Sequence, residues 1–179
     1  MKVRLDQFNN DWFYPGGKLK IALWTLFSIT FIRTAFPWPI FIKKLLLQLF
    51  GCKLGKGFVI KPQVNIKYPW KLTIGDYVWL GENVWIDNLG NVEIHDHVCI
   101  SQGAMLLTGN HDYKKSSFDL KVEEIILKSG VWIGANSVVC PGVVCRENSV
   151  LSVSSIATKD LIPNKIYQGN PATQKKDRF

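Results

Sequence analysis

The sequence repeats an aliphatic residue at every sixth position over long stretches. Between Ile74 and Ile86 (IGDYVWLGENVWI), isoleucine or leucine recurs at intervals of six, and glycine follows two of these residues. An amphipathic helix would repeat near 3.6 residues and an alternating strand at 2. A period of six with glycine beside the aliphatic residue instead predicts short strands that turn at regular corners, so that the chain winds into a solenoid.

The period runs through most of the chain after Gly51, with two short insertions and one long one. The aliphatic positions are Leu54, Ile60, Ile66, Leu72, Ile74, Leu80, Ile86, Ile94, Ile100, Leu106, Leu127, Ile133, Val139, Cys145, Leu151 and Ala157. Insertions at corners are tolerated because each coil of a solenoid contacts only its neighbours. Three sides of six residues make one triangular coil, and stacked coils are expected to align these side chains in a buried column. The long insertion, residues 109–125, has no repeat, which is typical of a functional loop.

Length and composition predict one domain with one core. The chain has 179 residues, of which 47% are hydrophobic and 20% charged, enough for one sizeable core but not for two. We divide it into an N-terminal arm with apolar helices (1–51), the repeat region (52–172, with the loop 109–125) and a short basic tail (173–179).

Positive charge is concentrated in the first part of the chain. Residues 1–71 contain twelve Lys or Arg and two Asp, a net charge of +10, whereas the remainder has ten basic and twelve acidic residues, a net charge of −2. This distribution favours an anionic partner, although a merely solvated basic face is the alternative. We do not predict nucleic-acid binding, because the basic residues lack interleaved aromatic residues on a recognisable module.

Residues 18–50 predict a pair of apolar helices. The run from Ile21 to Ile32 is free of charge, and Pro37 and Pro39 forbid a continuous helix. Each apolar run is shorter than the roughly 20 residues that span a bilayer. Lysines are expected at the helix ends (Lys18, Lys20, Lys43 and Lys44). The pair is expected either to rest on the anionic inner face of the cytoplasmic membrane as a peripheral contact, or to cover the open end of the solenoid or a neighbouring subunit; both can hold together.

The four cysteines predict a reducing environment. Cys52, Cys99, Cys140 and Cys145 show no CxxC spacing, and no cleavable signal precedes them. We therefore expect reduced, structural thiols and a cytoplasmic location.

Four motifs carry a resemblance to a known family. Gly109-Asn110-His111, the run 131–135 (VWIGA), the segment 157–160 (ATKD) and the closing 169–172 (GNPA) resemble the hexapeptide-repeat acyltransferases, over residues 54–176. The resemblance implies an all-β fold, a left-handed parallel β-helix with an N-terminal α-helical segment, assembled as a homotrimer.

Two further segments narrow the resemblance. Residues 86–90 (IDNLG) and 99–113 (CISQGAMLLTGNHDY), with the Trp-rich helices before them, resemble the colanic-acid-type exopolysaccharide O-acetyltransferases. This implies transfer of an acetyl group from acetyl-CoA to a sugar hydroxyl of a surface polysaccharide precursor, either a free sugar or a lipid-linked saccharide.

His111 is the candidate catalytic residue. It lies where the repeat breaks into the loop, and it matches the family's catalytic histidine. A hydroxyl is a poor nucleophile until its proton is removed, and imidazole, with a pKa near 6.5, can accept that proton and then protonate the leaving thiolate. Direct attack without a covalent enzyme intermediate is therefore expected.

The resemblance also implies binding residues and a shared donor groove. The groove would lie between subunits, with Trp132 and Ala135 flanking the thioester and Val153, Thr158, Lys159 and Lys176 along the pantetheine and the phosphates. Asp87 and Asn88 come nearly one coil before His111 and are candidates to orient its imidazole or to hold acceptor hydroxyls. Simple turn chemistry is the alternative for this pair.

Two other functions fit parts of the pattern less well. A trimer of this kind could be a non-catalytic scaffold that binds a membrane or a partner. A zinc carbonic anhydrase on the same scaffold needs two of its three histidine ligands in an HxxxxH segment, and His95, His97 and His111 do not have that spacing. We therefore predict no metal site.

Overall fold

The helices precede the solenoid in the chain. The computed structural model describes residues 2–179, in which α1 spans Lys18–Phe27, continues into one π-helical turn at Ser28–Ile32, and is followed by α2, Ile40–Leu49. Short 3-10 turns lie at Leu5–Gln7 and Pro69–Lys71. The predicted helix pair is thus present, and no helix among residues 2–179 is long and apolar enough to cross a bilayer.

The repeat region winds into five three-sided coils. The first two contain β1 (Lys53–Leu54), β2 (Val59–Ile60), β3 (Asn65–Ile66), β4 (Leu72–Ile74), β5 (Trp79–Leu80) and β6 (Trp85–Asp87). The third contains β7 (Val92–Ile94), β8 (Cys99–Ile100) and β9 (Met105–Leu107), and is followed by a hairpin of β10 (Gly109–His111) and β11 (Leu120–Val122). The last two contain β12 (Ile125–Leu127), β13 (Trp132–Ile133), β14 (Val138–Val139), β15 (Val144–Cys145), β16 (Val150–Leu151) and β17 (Ile156–Ala157). A final hairpin is formed by β18 (Lys165–Gly169) and β19 (Ala172–Asp177).

Equivalent strands of successive coils form three parallel sheets. Sheet A has the order β1-β4-β7-β12-β15, sheet B the order β2-β5-β8-β13-β16-β18-β19, and sheet C the order β3-β6-β9-β14-β17. The register aligns Leu80 with Ile100, and Ile100 with Ile133. All three side chains are fully buried, as the six-residue period predicted. The column forms because each six-residue step returns one aliphatic side chain to the interior.

The insertions all fall at one edge of the solenoid, the corner between sheets C and A. The two short ones lie between β3 and β4 and between β6 and β7, and the long one lies between β9 and β12. The long insertion leaves the repeat, as the sequence indicated, and it contains regular structure, because β10 and β11 pair antiparallel from Gly109 opposite Val122 to His111 opposite Leu120. The candidate catalytic residue therefore lies on a hairpin that leaves the solenoid at this edge.

The C-terminal residues differ from the predicted tail. After the turn at Asn170-Pro171 the chain reverses, and β19 pairs antiparallel with β18, which pairs parallel with β16. Residues 173–177 therefore belong to sheet B, because their backbone groups complete the hydrogen bonds of β18. Arg178 anchors the end of the chain by donating to the carbonyl of Gly130 over 2.7 Å.

The helices cover the first coil. Trp24 of α1 donates its indole N–H to the carbonyl of Ile66 over 2.9 Å, and Leu47 of α2 is buried in the same core. Of the four lysines expected at the helix ends, Lys43 does not face the solvent, since it is only 1% exposed. It lies one helical turn before Leu47, on the buried face of α2, and its burial lowers the pKa of the ammonium group.

Candidate functional site

His111 is held in a fixed orientation by its own hairpin. Its Nδ1 lies 2.9 Å from the carbonyl oxygen of Phe118, and the two rings stack with centroids 4.3 Å apart and planes 8° apart. A carbonyl oxygen can only accept, so Nδ1 carries a proton, and in the neutral imidazole Nε2 then presents a lone pair. The imidazole is thus oriented as a base through Nε2.

Phe118 adopts an unusual backbone conformation. Its φ of +53° lies in the left-handed region, which is costly for a bulky residue. Such strain is found where the surrounding structure requires it, often at functional sites. Here it accompanies the contact between the Phe118 carbonyl and His111.

The N-terminal arm also reaches this site. The ring of Phe8 lies 5.7 Å from that of His111, and the backbone N–H of Arg4 donates to the carbonyl of Ser116 over 2.8 Å. No sequence pattern pointed to Phe8 or Phe118, because their contacts depend on how the arm and the hairpin pack.

An apolar groove lies on sheet B at the later coils. Its volume is about 520 Å³, and it is lined by three of the predicted donor-binding residues, Trp132, Ala135 and Val153. Trp132 is half-exposed, and its indole N–H donates to the hydroxyl of Ser101 over 2.9 Å. The lining residues that sequence reasoning missed are Ser101, Gln102, Gly134, Val150, Leu151, Ser152 and Ile166. Register could have indicated part of this set, since Trp132 pairs with Cys99 and Val150 on the two adjacent coils.

The remaining predicted donor-binding residues are split between two places. Lys176 pairs with Ile166 across β18 and β19, and antiparallel partners point to the same face, so Lys176 shares the face of the groove. Thr158 and Lys159 are exposed and follow β17, which places them at the corner between sheets C and A. That corner is separated from the groove by the width of sheet C.

A second, more polar cavity lies between α1 and sheet C. Its volume is about 280 Å³, and its lining includes Arg33, Lys67, Trp85 and Asp87. Asp87 Oδ1 is buried and lies 2.8 Å from Nζ of Lys67, so the two side chains form an ion pair, and the Asp87 side chain as a whole is 20% exposed. The backbone N–H of Thr108 donates to the carbonyl of Asp87 over 3.3 Å, which places this carboxylate at the edge from which the His111 hairpin emerges.

Asn88 is not available for an acceptor. It is fully buried, its Nδ2 donates to the carbonyl of Tyr68 over 2.7 Å, and its Oδ1 accepts from the Tyr68 backbone N–H over 3.0 Å. Both polar atoms are thus used to join two coils. The prediction that Asn88 holds acceptor hydroxyls is corrected to a structural role.

The other histidines and the cysteines have separate surroundings. His95 lies 3.4 Å from the Lys128 ammonium, whereas His97 stacks on Tyr77 at a corner. All four cysteines are free, and burial raises the pKa of Cys52 to about 12, which keeps that thiol protonated.

Comparison with known proteins decides the family. No family model matches the chain, but it is 36% identical over 170 residues to the putative colanic acid biosynthesis acetyltransferase WcaF of Escherichia coli, covering 93% of this chain and 91% of that protein. The chain belongs to the hexapeptide-repeat acetyltransferases. It is also 31% identical over 133 residues to the galactoside O-acetyltransferase of Escherichia coli, covering 72% of this chain and 64% of that protein.

Solved structures of hexapeptide-repeat acetyltransferases share the fold. A hexapeptide-repeat acetyltransferase from Vibrio cholerae superimposes with a TM-score of 0.81 at 21% identity, covering 90% of this chain and 92% of that one. A galactoside acetyltransferase in complex with coenzyme A superimposes with a TM-score of 0.80 at 24% identity, covering 90% of this chain and 82% of that one. The predicted left-handed parallel β-helix and the predicted enzyme class, an acyltransferase, are confirmed.

Proposed function

We propose that this hexapeptide-repeat acetyltransferase transfers an acetyl group from acetyl-CoA to a sugar hydroxyl of a surface polysaccharide precursor. The observation that carries the proposal is the orientation of His111, whose Nδ1 is bonded to the Phe118 carbonyl and whose Nε2 is left as a base. The similarity to the colanic acid and galactoside enzymes supports the substrate class. The free thiols support a cytoplasmic location.

The proposed reaction is a direct transfer. Nε2 of His111 takes the proton of the acceptor hydroxyl as its oxygen attacks the thioester carbonyl, and the C–O bond forms. The tetrahedral intermediate then collapses with loss of the C–S bond, and the imidazolium returns the proton to the departing thiolate. The stacked ring of Phe118 holds the imidazole plane during both steps. No covalent intermediate with the enzyme is formed.

The apolar groove is proposed as the donor site. Trp132, Ala135 and Val153 supply an apolar wall for the acetyl group and the pantetheine arm. The ammonium groups of Lys159 and Lys176, with the hydroxyl of Thr158, are proposed to meet the phosphates of acetyl-CoA, because phosphate oxygens need cations and hydrogen-bond donors.

The cavity beside Asp87 is proposed as the acceptor site. An indole ring such as that of Trp85 can pack on the apolar face of a sugar, and the partly exposed carboxylate of Asp87, which lines the same cavity, can accept from a sugar hydroxyl. Arg33 adds positive charge beyond the Lys67–Asp87 ion pair, which fits a saccharide that carries a phosphate, as a lipid-linked precursor does. A free sugar would use the aromatic and carboxylate groups alone.

A homotrimer would complete the site. His111, Thr158 and Lys159 lie at the corner between sheets C and A, whereas Trp132 and the groove lie on sheet B. One donor molecule can contact both sets only if the edge of one protomer faces the groove of another. A cyclic trimer repeats this heterologous contact three times and closes it.

Complementation between two inactive variants tests the shared site. His111→Ala removes the base, and Ala135→Phe fills the groove, so each variant alone is expected to be inactive. When both are co-expressed, random assembly leaves about one quarter of the sites with an intact edge and an intact groove, so about one quarter of the wild-type activity should return. Sedimentation of wild-type protein should give the mass of a trimer. A failure of the mixed assembly to recover activity would place the whole site in one protomer.

Thioester turnover tests the reaction itself. Purified enzyme with acetyl-CoA and a panel of free and lipid-linked saccharides is expected to release free thiol and to produce an acetyl ester in equal amounts. Mass spectrometry of the saccharide identifies the ester, and omission of the saccharide is the control for hydrolysis. Thiol release that needs no acceptor, or no release with any saccharide, would contradict the proposed function.

A further inference from the structure

The helix pair presents an apolar stripe to the outside of the molecule. We define the outer stripe as Leu19, Leu23 and Leu26 of α1 with Phe41, Leu45 and Leu49 of α2. These side chains are between 42% and 74% exposed. Their spacings of three and four residues place them along one face of each helix. Each helix therefore has an apolar face that does not cover the solenoid.

The opposite faces of the helices are fully occupied. Trp24, Ser28 and Ile32 follow each other at intervals of four and are buried, as are Lys43 and Leu47 of α2. The outer stripe is therefore not a part of the hydrophobic core that has become exposed. It is a second apolar face, and exposed apolar surfaces of this kind usually mark an interaction site.

An aromatic cluster joins the helices into one unit. Phe31 lies 4.8 Å from Trp38, and Phe50 lies 5.2 Å from Trp24 and 5.9 Å from Phe27, measured between ring centroids. The two halves of the outer stripe are therefore carried on helices that pack against each other.

The charged side chains of the helix pair are all positive. Lys18, Lys20 and Arg33 are exposed and Lys44 is half-exposed, and no Asp or Glu occurs between residues 12 and 75. Lys20 also lies 4.5 Å from the centroid of the Trp70 ring, which ties this charge to the solenoid. A second copy of the chain docked stripe to stripe would bring these cations together, so their charge favours an anionic partner.

We propose that the outer stripe docks on an anionic phospholipid bilayer, with its apolar side chains at the boundary between headgroups and acyl chains. Apolar burial combined with lysine attraction is the mode by which interfacial helices bind. The helices are too short to cross the bilayer, so the contact is peripheral. It lies beside the polar cavity, whose lining includes Ile21, Thr25 and Ser28 of α1 and its π-helical turn. Docking would thus bring a lipid-linked saccharide to the proposed acceptor site.

Vesicle flotation of the full-length protein tests the proposal. The protein is expected to float with vesicles of equimolar phosphatidylcholine and phosphatidylglycerol, and at least tenfold less with phosphatidylcholine alone. Binding should fall steeply at about 1 M salt, where the screening length is only about 3 Å. Lys18→Gln and Lys44→Gln should each weaken binding about fivefold, the effect of removing one cation near an anionic surface. Failure of wild-type protein to float with the anionic vesicles at low salt would overturn the proposal.

A pair of apolar-to-charged variants separates lipid binding from self-association. Leu23→Glu combined with Leu45→Glu should reduce binding at least tenfold, whereas Ile162→Glu, an exposed isoleucine at the far end of the solenoid, should leave it unchanged. The wild-type protein, the double variant and the Ile162→Glu variant should transfer acetyl groups to a soluble acceptor at the same rate. The loss of vesicle binding therefore does not depend on the proposed function. If the double variant instead binds vesicles normally, or dissociates a larger assembly in the absence of lipid, the stripe is not a lipid-binding surface.

Discussion

His111→Ala is expected to lower kcat for acetyl transfer by about 10²- to 10⁴-fold, the range that removal of a general base costs. The loss arises because no other side chain then takes the proton of the attacking hydroxyl. KM for acetyl-CoA should change little, since His111 is not among the residues that line the apolar groove. The rate of thiol release is measured at a saturating acceptor concentration while the acetyl-CoA concentration is varied. This titration determines kcat and KM for acetyl-CoA separately.

His97→Ala is the matched control for this substitution. His97 also stacks on an aromatic ring, that of Tyr77, but at a corner of the solenoid outside the hairpin. The His97→Ala variant should have an unchanged kcat. The thermal unfolding midpoint of the His111→Ala variant should stay close to that of the wild-type protein. An activity of His111→Ala within tenfold of wild type, with the fold intact, would contradict the assignment of the base.

The column of the solenoid could be predicted because it depends on one local rule. Each six-residue step points its aliphatic side chain inward, so Leu80, Ile100 and Ile133 could be aligned from spacing alone. Pairing between distant backbone segments has no such periodic signal. The pairing of β10 with β11 and of β18 with β19 was therefore missed, and the C-terminal residues were expected to form a tail.

Side chains whose roles depend on a distant partner were harder to predict. His111, Trp132 and Ala135 stand in family motifs, and the structure gives them an oriented imidazole and a common groove. Asn88 was assigned by its position in the sequence, which does not reveal that Tyr68 on the preceding coil occupies both of its polar atoms. The burial of Lys43 was not predicted, because the pattern does not show which face of α2 meets the first coil.

Ile100→Ala is expected to lower the free energy of unfolding by about 2–5 kcal/mol, the usual cost of truncating a fully buried aliphatic side chain. Ile100 stands in the middle of the sheet B column, where its strand is paired on both sides. Neighbouring coils cannot close the cavity without breaking their own ladder of hydrogen bonds. The loss therefore includes both the transfer energy of the side chain and the cost of the cavity. Denaturant unfolding followed by circular dichroism measures it.

Ile162→Ala provides the comparison with the same chemical change. Ile162 is 43% exposed, so its truncation should change the free energy of unfolding by no more than about 0.5 kcal/mol. Both variants must be measured at one protein concentration, because the stability of an oligomer depends on it. If the two substitutions change the free energy of unfolding by the same amount, the interior column is not the main source of stability. A large loss confined to Ile100 would instead follow directly from the six-residue period, since that period is what places Ile100 inside and leaves Ile162 exposed.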